Sequence, residues 1–279
     1  MNSYNGRNYL KLCYPTLLFI GYFFWRVRLS STRISMEREM LELEAIKPVD
    51  KVLIVMAHPD DVDFGLAGSV ASWVSHGSNV SYLIVTDGDA GGFDPSIPRL
   101  EIPAIRREEQ KKAAAYVGVE SVEFLGYCDG ALRNVPSLVR DISRAIRKIK
   151  PDRVVCQSPE RNYLRVPASH PDHRAAGAAT LDAVYPYSRN PFAFPELLEE
   201  GLDAFIVKEV LLSAHPEVNS FVDVTETFDA KVGAILCHNS QLPDPTTVEP
   251  MVRKWLEMSA GRAQLGEGRL AEVFFKVTI

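Results

Sequence analysis

Cysteine is scarce. The chain has four, Cys13, Cys128, Cys156 and Cys237, and none forms a Cys-x-x-Cys pair. That spacing excludes a thiolate zinc ribbon and gives a disulfide framework no support, so a reducing, cytoplasmic setting is expected. Basic excess is also missing: 31 Lys and Arg stand against 36 Asp and Glu, for a net charge of -5. A general nucleic-acid binder would usually carry a basic face or stripe, and this balance argues against one without excluding local basic patches. There is no internal repeat, low-complexity run or linker, which favours one domain over residues 46–279 after an N-terminal extension, 1–45.

Long apolar runs are nearly absent too. The exception is 12–25, uncharged and flanked by Lys11, Arg26 and Arg28. It falls short of the roughly 20 residues of a spanning helix, and Pro15 and Gly21 weaken it. Residues 29–32 make a poor signal-peptidase site. Three readings stay open: an extension ahead of a true start at Met36, a membrane anchor through 12–25, or an export signal.

The remaining sequence alternates strand-like and helix-like segments. The runs 51–56, 80–86, 122–125 and 153–157 are short, apolar and rich in β-branched residues, as buried strands are. Helical patterns occupy 65–76, 104–117, 136–150 and 174–184. This alternation predicts right-handed crossovers and a mostly parallel, Rossmann-like α/β sheet with helices on both faces. Further strands are expected at 209–213, 220–224 and 271–277, with helices at 225–239 and 248–260. The polar stretch 36–48 is helix-prone. The helix 136–150 carries a basic outer face (Arg140, Arg144, Arg147, Lys148) expected to be solvated. Loops 88–103 and 185–205 are expected to shape a pocket.

Two clusters can do chemistry. Ala57-His58-Pro59-Asp60-Asp61 follows the first strand, where an open α/β sheet places its ligands. His170-Pro171-Asp172-His173 opens the helix after the fourth. With Pro171 in the first helical turn, His170 and His173 share a face. Two imidazoles and a carboxylate can hold zinc and leave one position open for water. His76 and His215 read as structural, and His238 as either structural or close to the site.

Together these motifs resemble the PIG-L/LmbE-like family of zinc-dependent de-N-acetylases. Thr86-Asp87-Gly88, Arg106 with Glu109 ahead of Gly118, the turn Gly126 to Gly130, Val222 to Thr225, Lys231, His238 and Gln241 extend the likeness across 51–241. The resemblance implies an LmbE-like fold and His58, Asp61 and His173 as ligands of Zn²⁺, or of another divalent ion such as Fe²⁺. It further implies Asp60 as general base and His170 as stabiliser, in protonated form, of the charged intermediate. Arg106 and Asp129 become substrate-binding residues; the plainer alternatives are a solvated helix residue and a turn residue before Gly130. The implied reaction removes an N-acetyl group from an N-acetylglucosamine-type sugar or glycoconjugate. The implied partner is a small amino-sugar molecule, and a homo-oligomer is expected.

Two departures matter. Val62 and Asp63 follow the paired aspartates where some members carry Glu directly; this resembles a Val-Glu subgroup, so no loss of activity is expected. Ala168 stands where mycothiol-pathway members place a tyrosine, a role Tyr163 could partly take over. The rival readings are an amidase on a thiol-sugar conjugate or acylated antibiotic, and a non-catalytic sugar- or nucleotide-binding module. Against the latter, the first βα turn lacks Gly-x-Gly-x-x-Gly and puts an acidic pair where phosphate would sit.

Overall fold

The computed structural model describes residues 43–279 apart from Leu164. Its strands are β1 (Glu44–Ala45), β2 (Lys51–Met56), β3 (Asn79–Thr86), β4 (Ser121–Tyr127), β5 (Arg153–Gln157), β6 (Glu209–Ser213), β7 (Ser220–Asp223) and β8 (Ala271–Thr278). The helices are α1 (Asp61–Ser75), α2 (Ile102–Tyr116), α3 (Pro136–Ile149), α4 (Pro171–Asp182), α5 (Pro195–Glu199), α6 (Phe228–Leu236) and α7 (Val248–Arg262). All eight strands form one sheet in the order β1-β7-β8-β6-β5-β2-β3-β4.

β2 explains the layering. Val52, Ile54 and Met56 enter one apolar cluster with residues of α1, α2, α6 and α7. Leu53 and Val55 enter a second with α3 and α4. A strand covered on both faces must be apolar throughout, which is why it lacks alternation. β2 pairs in parallel with β3 on one side and β5 on the other. The chain therefore winds outward from β2 in both directions, and the crevice beyond its carboxyl end is the usual ligand site of such sheets. The expected α/β class holds; β8 departs from it by running antiparallel to both β6 and β7.

Three expectations are corrected or fall elsewhere. Glu44 and Ala45, within the helix-prone stretch, form a strand instead: Glu44 N–H donates to Asn219 and Ile46 N–H to Phe221. The free edge of β7 offers a ladder, and tertiary pairing overrides a weak propensity. Arg147 is not solvated. It is fully buried and donates to the carbonyls of Tyr187, Ser188, Asn190 and Ala193 at 2.8–3.1 Å, tying the 185–205 segment to α3. The run 12–25 lies outside the described residues; among those described, no helix is long and apolar enough to cross a membrane.

α1 is broken at Leu66 (φ -152°), and a buried ion pair repairs the break. Lys231 Nζ donates to the carbonyls of Asp63 (2.9 Å) and Phe64 (2.8 Å) and pairs with Glu272 at 2.7 Å. Glu272 in turn accepts from the N–H groups of Gly68 and Ser69 beyond the break. Backbone groups freed on both sides thus find partners away from water. Lys231→Met is expected to destabilise the protein by about 3–5 kcal/mol, since it strands a buried carboxylate. Denaturant titration checks this: Lys231→Met/Glu272→Gln should recover part of the loss, and a near-neutral single variant would contradict the reading.

Candidate metal and catalytic site

His58 follows β2 directly, and Asp61 begins α1 one turn later. Asp61 Oδ2 accepts from the His58 N–H at 2.7 Å, closing a small ring that fixes both side chains. Asp60 between them has φ 90°, a conformation that costs a non-glycine residue of order 1–3 kcal/mol and often marks a functional site. Its N–H is held by Gln110 Oε1 at 2.8 Å. The Gln110 amide is oriented by Asp63 Oδ2, which also meets His238 Nε2 at 2.8 Å. His238 is wholly buried, so it supports the site from within.

The second cluster arrives on α4, with His170 as its N-cap and Pro171 as the first helical residue. Gly177, one turn beyond His173, lets α4 lie against the end of β5. A Cβ there would sit 2.1 Å from the Gln157 carbonyl oxygen, so a side chain would push both histidines off the sheet.

Donor atoms of three residues converge. His58 Nδ1 lies 3.2 Å from Asp61 Oδ2, His173 Nε2 lies 3.0 Å from Asp61 Oδ1, and the two ring nitrogens are 3.3 Å apart. Tetrahedral ligands about 2.0–2.2 Å from a zinc ion stand roughly 3.4 Å from one another, so the set fits a divalent cation. The ring of His170 lies 5.1 Å from that of His58 and completes a histidine triplet whose nitrogens also come within ligating range.

Charge follows the same geometry. Burial works to lower the His58 pKa, but the Asp61 charge and hydrogen bonds to Asp129, Asp172 and Asp61 lift it to about 12. Burial would raise Asp61, yet the His173 and His58 charges hold it well below the usual carboxylate range. Protons shared between groups so paired are ones that a cation could replace. Burial pushes Asp60 up to about 6, against the pull of Arg106 and with help from the Asp61 charge. Burial and then the His58 and His173 charges lower His170. Its Nδ1 accepts from the Asp172 N–H at 3.3 Å, the geometry of a ring whose Nε2 carries the proton.

Arg106 and Asp129, expected at the substrate, are both brought to the site, each held by contacts to its residues. Arg106 is buried and donates to Asp60 Oδ2 (2.9 Å), the Pro59 carbonyl (2.6 Å) and the Gly88 carbonyl (2.9 Å). A Cβ on Gly88 would lie 2.2 Å from its guanidinium, so the glycine turn after β3 exists to admit it. Asp129 Oδ1 lies 3.1 Å from His58 Nε2, and Oδ2 accepts from the Ala90 N–H at 3.2 Å. Tyr163 is 81% exposed.

Asp172 was missed. It is completely buried, accepts from the N–H groups of Gly130 and Leu132, and lies 3.3 Å from His58 Nε2. Its place inside the second motif was the available signal. Asp172 and Asp129 together accept from His58 Nε2–H and so turn Nδ1 toward Asp61 and His173, the orientation that carboxylates behind metal-binding histidines impose.

A cavity of about 410 Å³ adjoins the site, lined by Asp61 and His173 and by Arg165, His215, Trp255 and Arg262. The 185–205 segment, expected at the pocket, is not among its walls.

Residues 53–184 match the family model of PIG-L, GlcNAc-PI de-N-acetylase. The chain is 32% identical over 201 residues to diacetylchitobiose deacetylase of Thermococcus kodakarensis, covering 72% of this chain and 73% of that one. It is 29% identical to a probable N-acetyl-alpha-D-glucosaminyl L-malate deacetylase of Bacillus cereus, over 68% and 83%. Among solved structures, N,N'-diacetylchitobiose deacetylase of Pyrococcus horikoshii superposes with a TM-score of 0.77 at 31% identity, over 86% and 90%. The chain therefore belongs to the PIG-L family, the LmbE-like de-N-acetylases. It is an enzyme of the hydrolase class.

Proposed function

We propose that this protein removes the acetyl group from the 2-acetamido nitrogen of an N-acetylglucosamine-type sugar, with His58, Asp61 and His173 holding a zinc ion. The observation that carries the reading is the convergence of donor atoms from those three residues beside Asp60, a carboxyl lifted to about 6. The names of the relatives support the substrate class. Two imidazoles and one carboxylate also suit Fe²⁺, so reconstitution with each metal decides between them.

When bound, the cation polarises the acetamide carbonyl and lowers the pKa of the attacking water from about 15.7 to about 7. Asp60 takes the proton of that water and returns it to the amine nitrogen as the C–N bond breaks, the two roles open to a carboxyl beside the metal position. His170, neutral, offers Nε2–H to the carbonyl oxygen as that oxygen gains charge. Arg106 keeps the Asp60 carboxylate aimed, and Gln110 keeps its backbone in the left-handed conformation. Products are acetate and the free amino sugar.

Acetate release from a panel of N-acetylated sugars with zinc added back tests the reading; no release from any of them would overturn it. Gln110→Leu is expected to lower kcat by about 10- to 100-fold with metal content unchanged, the usual scale for a supporting residue. Measured loss of the metal instead would show that Gln110 holds the cation site and not the base.

A further inference from the structure

His238 stands in the turn after α6, outside residues 53–184 that match the family model. The ring is wholly buried, and its Nδ1 has no hydrogen-bond partner among the described residues. Its polar contact is the 2.8 Å bond from Nε2 to Asp63 Oδ2. An apolar side chain would fill this place without the cost of burying a polar group. What the imidazole adds is a donor aimed at one carboxylate oxygen.

That oxygen receives a second donor, Gln110 Nε2–H, also at 2.8 Å. A carboxylate only accepts, so it decides which end of the Gln110 amide faces it. The other end, Oε1, then meets the Asp60 N–H at 2.8 Å. With the amide reversed, two N–H donors would face each other at Asp60. The Asp60 backbone so held has φ 90°, and it directs the carboxyl that Arg106 meets at 2.9 Å. His238, Asp63 and Gln110 are all completely buried, where such bonds are not weakened by water.

The residue next to Gln110 on α2 seats the histidine. Glu109 accepts from the Ser240 N–H at 2.8 Å and from its hydroxyl at 2.7 Å, and the His238 carbonyl accepts from the Gln241 N–H at 2.9 Å. Two consecutive residues of one helix thus hold both ends of the arrangement. Glu109 fixes the turn that carries His238, and Gln110 passes the constraint to Asp60. Lys231 holds the Asp63 carbonyl at 2.9 Å, so Asp63 is fixed in backbone and side chain alike.

Resting on the reading of Asp60 as the base, we propose that His238 is a positioning residue for turnover. Through Asp63 and Gln110 it holds the Asp60 backbone, and with it the carboxyl, in the geometry that receives the proton of the attacking water. It acts on the base and leaves the three metal-binding side chains untouched.

The test is a double-substitution cycle, with kcat, KM and zinc content measured on the same preparations. The substrate is whichever N-acetylated sugar of the panel above is turned over fastest. His238→Leu should lower kcat by about tenfold with KM and zinc content unchanged, the scale for a group behind the reacting residues. His238→Gln, whose amide N–H still reaches toward Asp63, should keep kcat within about threefold. In Gln110→Leu the path is already cut, so adding His238→Leu should cost less than about a further twofold. A merely structural histidine would lower the thermal midpoint in both backgrounds and spare kcat per zinc-loaded site. Asp63→Asn enters the same path without emptying the His238 site, and it carries the same comparison where the leucine variant does not fold. Unchanged kcat in His238→Leu, loss of its zinc, or fully additive losses in the double variant would overturn the proposal. If Asp60→Asn loses kcat while His238→Leu does not, only the role of His238 falls; if Asp60→Asn keeps full kcat, the base reading falls with it.

Discussion

Protein stripped of metal by a chelator is expected to release no acetate from an acetamido sugar, and Zn²⁺ to restore the activity. The expectation rests on the donor set: atoms of His58, Asp61 and His173 lying 3.0–3.3 Å from one another, with His58 held from behind by Asp129 and Asp172. Without a cation the same atoms are tied to one another through protons, and nothing near Asp60 brings a water to a pKa it can work with. His173→Ala removes one of three protein ligands and should abolish both metal retention and turnover. His58→Ala should do the same, and it also strands the buried Asp172, so its folding must be checked by its thermal midpoint. Full activity of metal-free protein would end this mechanism.

The second large effect separates base from ligand. Asp60→Asn should retain the metal and lower kcat by roughly 10²- to 10⁴-fold, the range for a positioned general base. Asparagine keeps the size of the side chain and still offers Arg106 an oxygen. Asp61→Asn should instead weaken metal binding, because it removes the anionic donor between the two imidazoles. Metal analysis and turnover measured on the same preparations distinguish the two, and equal metal loss in both variants would contradict the assignment.

Several of these features could be read from residues alone, for physical reasons. Strands β2, β5 and β6 have the bounds the apolar runs predict, because their shortness, β-branched content and polar flanks mark where a strand buried on both faces begins and ends. The paired histidine motifs were legible since each sits where a strand ends and a helix begins. What could not be read depends on contacts between distant segments. Nothing local marks Glu44 and Ala45 as a strand until the edge of β7 is present. Arg147 looks like its solvated neighbours Arg140 and Arg144 until the 187–193 carbonyls surround it. The contacts of Arg106 with Asp60 and of Asp129 with His58 also join segments far apart in the chain. Asp172 hid between two histidines, where attention goes to the rings. The cavity walls from α7 lie beyond any motif, so Trp255 and Arg262 carried no signal before the fold brought them beside Asp61.

The most direct test of the central claim is zinc-edge X-ray absorption on reconstituted protein that is active in acetate release. The account predicts a first shell of oxygen and nitrogen only, with two imidazoles at about 2.0–2.1 Å and no sulfur, and one imidazole fewer in any zinc that His173→Ala still binds. A shell containing sulfur, or an unchanged imidazole count in that variant, would contradict it.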